Sequence, residues 1–146
     1  VHYNDEVLKS VIDLFRNTNS VLVFISDHGE EAYDYRAKTS RPAMETGLES
    51  EYAHCQYDVP LFVWCSDQYL KKHKDVIKEL KSSKGHSSMS DKIGYSMLRL
   101  AQVKTKYYVP QRDITNMNFQ KTKRTIYLMG GEKSMDYDVV THYTHL

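Results

Sequence analysis

Hydrophobic positions recur at helical spacing in the first segment, where Val7, Leu8, Val11, Ile12 and Phe15 form one stripe. The pattern predicts a helix over residues 5–16, with Asn4 as its N-cap and Asp5 and Glu6 beside the positive end of its dipole. Asn17-Thr18-Asn19-Ser20 breaks it, and VLVFI at residues 21–25 is then an unbroken β-branched and aromatic run. Such a run predicts a strand buried on both faces. It ends at Ser26-Asp27-His28-Gly29-Glu30. Residues 31–58 lose periodicity and contain Pro42 and Gly47, which predicts a long surface excursion carrying a short helix at most. A second apolar strand is expected over residues 60–64. Asp67 is expected to cap a helix that buries Leu70, Ile77 and Leu80 and turns its lysines to solvent. Residues 82–88 read as a linker, and Ser90 as the cap of a third helix in which Ile93, Met97, Leu100 and Ala101 share a face. An irregular segment with Pro110 follows. Residues 124–129 then predict a strand, and Gly130-Gly131 a hairpin turn into residues 133–140.

The order helix, strand, loop, strand, helix, helix predicts an α/β layered domain whose sheet is largely parallel with an antiparallel C-terminal edge. At 146 residues, a single domain over 1–146 is expected. Twenty Lys and Arg against nineteen Asp and Glu leave a net charge of +1, which gives no overall attraction to nucleic acid or to an anionic membrane. The apolar runs are too short to span a bilayer, and the first residues lack the basic and apolar pattern of a signal peptide. Two cysteines cannot build a disulfide framework. Twelve tyrosines against four phenylalanines point to packing at half-wet surfaces.

The chemistry concentrates in Asp27-His28, placed immediately after a buried strand, where α/β sheets carry their ligand sites. An adjacent carboxylate and imidazole reach one divalent cation when the backbone turns sharply, and Gly29 is expected to supply the conformational freedom. Glu30 and Glu31 are candidates to orient those ligands from behind. Taken by itself the pair also fits a turn with a capping aspartate. Cys55 beside His54 lacks the second pair that a Cys and His metal site needs. His73 lies in a solvated lysine run, and Tyr107 and Tyr108 read as packing residues rather than a ligand platform.

VLVFISDHGEE, residues 21–31, resembles the metal-binding strand of the alkaline phosphatase superfamily, in its sulfatase-like and phosphoethanolamine transferase branch. The extension EAYDYR at 31–36, the helix with Tyr3-Asn4-Asp5, YDVPLFVWCS at 57–66, the helix around residues 91–103 and Met135-Asp136-Tyr137-Asp138 match in the same order. The resemblance implies an alkaline-phosphatase-like α/β/α sandwich and a zinc-dependent transfer of a phosphoryl-type group through a covalent intermediate. It implies Zn2+ as cofactor, with Asp27 and His28 as two of its ligands. The family's threonine nucleophile, a formylglycine in true sulfatases, and an upstream acidic ligand belong to a part of the domain that precedes this stretch. No catalytic residue is therefore assigned here, and Thr18, Thr39 and Thr46 lack the required context. Relatives carry a substrate-binding histidine in the excursion; His54 is the nearest candidate, and Arg41 is a candidate for holding a phosphate oxygen.

The chain is accordingly expected to be the C-terminal part of a catalytic domain and inactive alone. The resemblance implies a membrane-anchored parent with an extracytoplasmic catalytic domain and a phospholipid or a sulfate or phosphate ester as substrate. Two other readings compete with it: a non-catalytic α/β domain that binds partners, and a cytosolic phosphatase-like protein with an unrelated Asp-His-Gly site. Exposed apolar surface on a partial sheet leads to an expectation of self-association.

Overall fold

The computed structural model describes residues 2–34, 39–40, 50–127 and 134–141. The chain divides into two compact units, Val1–Phe24 with Leu61–Gln120 and Ile25–Pro60 with Lys121–Leu146. In the first, α1 spans His2–Phe15, so Asn4 lies inside the first turn instead of capping it. Strand β1, Val21–Ile25, follows a turn in which Thr18 N–H donates to Phe15 O.

The apolar run of β1 pairs with a later strand, Leu61–Cys65, which is β4 in chain order. Ser66 N–H donates to Ser20 O at 3.0 Å and Ser26 N–H to Pro60 O at 3.3 Å, which sets the start of β1 against the end of β4. The pair is therefore antiparallel, with Phe24 opposite Phe62 and their rings 5.5 Å apart. Where a largely parallel sheet is expected, the pairs formed by the described strands run antiparallel. An uninterrupted apolar run reports burial on two faces and carries no information on strand direction. Burial itself is partial: β1 is half-buried throughout, and Leu61 and Phe62 are exposed.

Ser66, not Asp67, caps the next helix. Its hydroxyl accepts from Tyr69 N–H and from Ser20 N–H, and it donates to Thr18 O. The expected single helix is broken at His73 into α3, Asp67–Lys72, and α4, Lys74–Ser82. Tyr69, Val76 and Ile77 are buried, whereas Leu70 is exposed. Tyr69 points inward, where its hydroxyl donates to Leu100 O at 2.5 Å at the end of α5, Ile93–Leu100. Within α5 the inward face is Ser96 and Leu100, and Met97 is exposed.

Among the described residues the second unit carries three short elements before Pro60 and three after Lys121. Strands β2, Glu31–Ala32, and β3, Thr39–Ser40, pair antiparallel, and α2 spans Ser50–Tyr57. Strands β5, Thr125–Tyr127, and β6, Ser134–Asp136, pair antiparallel in the register Ile126 to Met135, as the C-terminal edge predicts. The Gly130-Gly131 turn lies outside the described residues. The second arm is shorter than expected, because Asp136 accepts from Asp138 N–H and caps a helical turn, α6, Tyr137–Val140. Ala53, Ile126 and Tyr137 form this unit's core, with Tyr57 and Val140 against it.

Candidate metal centre

Strand β1 delivers Asp27 and His28 into a tight turn. Ser26 Oγ donates to His28 O at 2.8 Å and closes the turn over Asp27. Gly29 N–H donates to Gln56 O at 2.9 Å, which ties the turn to the last residues of α2. The positive φ among described glycines is at Gly85, so Gly29 is required for a different reason from the one expected. A Cβ there would lie 2.0 Å from Cys55 O, and only glycine lets the two backbones approach so closely.

His28 Nε2 lies 3.3 Å from Asp27 Oδ2, with the aspartate 85% and the histidine 38% exposed. His28 Nδ1 is 3.0 Å from Gly29 O, and since a carbonyl only accepts, Nδ1 carries the proton of that bond. With that proton on Nδ1, a neutral ring would present its lone pair at Nε2, the nitrogen beside Asp27. Ligand atoms on a tetrahedral zinc with bonds of about 2.0 Å sit about 3.3 Å from one another. The pair therefore fits one edge of such a site. Among the described residues no group of three or more His, Cys, Asp or Glu side chains converges on a common point.

Glu30 is exposed, and Glu31 is fully buried at the start of β2, opposite Ser40. The Cys55 thiol is pushed up by burial first and then by the charges of Asp34 and Glu31, which keeps it protonated and a poor ligand or nucleophile. Arg41 lies outside the described residues. His54 is engaged elsewhere in the unit: its Nδ1 is 2.7 Å from Asp58 Oδ2 and 3.2 Å from the hydroxyl of Tyr137. That hydroxyl donates to Asp58 Oδ1 at 2.5 Å.

Around Tyr137 the structure assembles charges that the sequence reading passed over. The Arg124 guanidinium stacks 4.4 Å above the Tyr137 ring and bonds to Asp138, which Lys121 also approaches at 3.6 Å. The Arg124 bond holds the Asp138 carboxyl below its usual range. A histidine and an aspartate four residues apart, His54 and Asp58, were the available signal for half of this cluster. Tyr137 and Arg124 are distant in sequence from that pair and gave none.

The sulfatase family model matches residues 1–103, well over half of the chain. The chain belongs to the sulfatase family. This sulfatase-family chain is 30% identical over 131 residues to the phosphoethanolamine transferase EptC of Escherichia coli strain K12, covering 85% of itself and 21% of that protein. It is 34% identical over 113 residues to the phosphoethanolamine transferase CptA of Salmonella typhimurium, covering 74% of itself and 18% of that protein. It thus spans about a fifth of the length of these curated relatives.

In three dimensions, 94% of it matches 38% of the crystal structure of the C-terminal periplasmic domain of E. coli EptC, at a TM-score of 0.73 and 28% identity. The zinc complex of that domain matches at a TM-score of 0.72. The fold is the expected alkaline-phosphatase-like one. Among the described residues no helix is long and apolar enough to cross a membrane.

Proposed function

We propose that this chain is the metal-binding C-terminal part of a phosphoethanolamine transferase, in which Asp27 and His28 contribute two ligands to a zinc ion. The observation that carries the reading is the Asp27 Oδ2 to His28 Nε2 separation of 3.3 Å with His28 Nδ1 turned to Gly29 O. Zinc held there supplies Lewis acidity to a phosphoryl-type group and acidifies a hydroxyl nucleophile. The chain's own residues position the ion: Gly29 and Gln56 hold the turn, and Ser26 fixes the carbonyl of His28. Glu31, at the start of β2, and Glu30, just before it, are the carboxylates proposed to orient those ligands. No side chain of this chain is proposed as nucleophile, so the chain alone is expected to be inactive. His54, with Asp58 and Tyr137, is a weaker candidate for meeting substrate, because its Nδ1 is committed to Asp58.

Both compact units count as parts of one catalytic domain in this reading, and the periplasmic setting of EptC supports an extracytoplasmic site on a membrane-anchored parent. The names of the relatives support transfer of a phosphoethanolamine group. Calorimetric titration with zinc tests the assignment. Weak binding is expected, since two protein ligands leave the coordination sphere half filled, and it is expected to vanish in both Asp27→Ala and His28→Ala. Binding that both substitutions leave unchanged removes the assignment. The exposed Leu61, Phe62, Leu14 and Phe15 support association between copies of the isolated chain. Sedimentation that shows a monomer at every concentration speaks against that.

A further inference from the structure

We propose that residues 97–117 form a docking surface for an anionic lipid bilayer. The near-zero net charge conceals a local bias, for this stretch holds Arg99, Lys104, Lys106 and Arg112 against one carboxylate, Asp113. Asp113 is fully buried and turned inward, where it accepts from Ser96 Oγ, from Thr115 N–H and Oγ1, and from the Tyr108 hydroxyl. Arg99 is bound to Glu79 at 2.7 Å. Lys104, Lys106 and Arg112 are exposed. In the same stretch Met97, Val103, Tyr107, Val109 and Met117 are exposed, with Tyr107 and Met117 each at 71%.

Single exposed apolar residues are ordinary, but five in one stretch of 21 residues with three exposed cations have the composition of a surface that meets headgroup phosphates and the region below them. An acidic protein would use the lysines and leave the apolar side chains in water. A lipid interface uses both.

The segment is built to present these groups. Helix α5 closes with Gln102 in the left-handed region at φ 57°, and Val103 N–H returns to Leu98 O at 2.9 Å. Tyr108 N–H donates to Thr105 O, and Gln120 N–H to Gln111 O. The Tyr108 hydroxyl, which also accepts from Asn116 Nδ2, anchors the loop inward and leaves its neighbour Tyr107 outside. Lys106 Nζ lies 5.2 Å from the Tyr107 ring, a basic and aromatic pairing suited to the bilayer interface. By contrast the lysine run at Lys71, Lys72 and Lys74 is flanked by Asp67 and Asp75. The inference stands on this segment and is independent of the metal reading.

Co-sedimentation of the full chain with phosphatidylcholine vesicles containing phosphatidylglycerol, beside pure phosphatidylcholine, tests it. Binding is expected to the anionic vesicles only and to weaken as salt is raised. Each cation near such a surface strengthens binding about fivefold, so Lys104→Glu with Lys106→Glu is expected to weaken it by about twentyfold or more. Lys104→Gln with Lys106→Gln gives a smaller loss, and Tyr107→Ser with Val109→Ser weakens binding at every salt concentration. Lys71→Glu with Lys72→Glu serves as control and changes binding by about threefold or less. Circular dichroism of each variant reports whether it is folded. No sedimentation with the anionic vesicles, equal sedimentation with pure phosphatidylcholine, or an equal loss in the control pair overturns the proposal.

Discussion

Gly29 and Gln56 are joined by a backbone hydrogen bond of 2.9 Å, and this bond fastens the Asp27-His28 turn to the end of α2. The contact is so close that a methyl group at residue 29 would lie 2.0 Å from Cys55 O and 3.0 Å from its carbonyl carbon. Both are backbone atoms, so no side-chain rotation relieves the clash. Gly29→Ala is expected to destabilise the protein by about 3 kcal/mol, at the upper end of overpacking costs, and to weaken zinc binding as the turn shifts. Chemical denaturation measures the first and calorimetry the second. An alanine variant as stable as the parent would show that the turn does not rest on α2.

The Tyr137 hydroxyl bonds both Asp58 and His54 while its ring lies beneath Arg124. Tyr137→Phe keeps the buried ring and removes only the hydroxyl. A loss of about 1 to 2 kcal/mol is expected, because Asp58 retains contact with water and is not stranded. Combined with Asp58→Ala in a double-mutant cycle, the two are expected to couple by about 1 kcal/mol. Additive effects would mean that the hydroxyl stabilises through some other partner.

The outline of both units was legible because hydrophobic periodicity follows the type of element, even where, as at Val7 and Phe15, the stripe stays exposed. The runs at Val21–Ile25 and Leu61–Cys65 are strands, and the stripe through Val7 and Phe15 is a helix. Strand direction was not legible, since an apolar run without alternation reads the same whichever way the strand runs. The break at His73 escaped because Leu70, Ile77 and Leu80 keep helical spacing across it; burial of Tyr69 against Leu100 decided the matter. At the candidate site, the place of Asp27-His28 directly after a strand was legible. The role of Gly29 was not, because the pressure on it comes from Cys55, far along the chain. Tyr137, Arg124 and Asp138 escaped for the same reason, as their partners are assembled only by folding.

The Asp138 carboxyl is held below its ordinary range chiefly by its bond to Arg124, against the opposing effect of burial. The folded state thus binds fewer protons than the unfolded chain between the two pKa values. The stabilisation is complete above the ordinary aspartate pKa and is lost as pH falls through the lowered folded value. Asp138→Asn is expected to cost about 2 kcal/mol at neutral pH and to flatten the acid limb of the stability profile. Denaturation measured from neutral to acid pH checks both. An unchanged acid slope in the variant would assign the acid sensitivity to other carboxylates.

Asp113 is a fully buried carboxylate whose partners fold around it, and its replacement separates charge from shape. Asp113→Asn keeps the size and the acceptor at one position but turns an amide N–H2 toward a neighbour. If that amide faces the Tyr108 hydroxyl, the phenol meets a second donor besides Asn116 Nδ2, and its own proton loses its acceptor. A cost of about 2 to 3 kcal/mol is expected. The same substitution has a spectroscopic signature. Tyr108 is pushed up to about 12, first by burial and then by the bond to Asp113 and its negative charge. A raised tyrosine pKa contributes stability that is complete below the ordinary value and lost as pH rises through the folded one. In Asp113→Asn the bond and charge contributions go and burial remains. The tyrosinate absorbance of Tyr108, isolated by difference against Tyr108→Phe, is therefore expected to appear at lower pH than in the parent, with alkaline unfolding starting earlier. If the titration does not move, burial alone sets the Tyr108 pKa and the Asp113 charge is neutralised by its other donors.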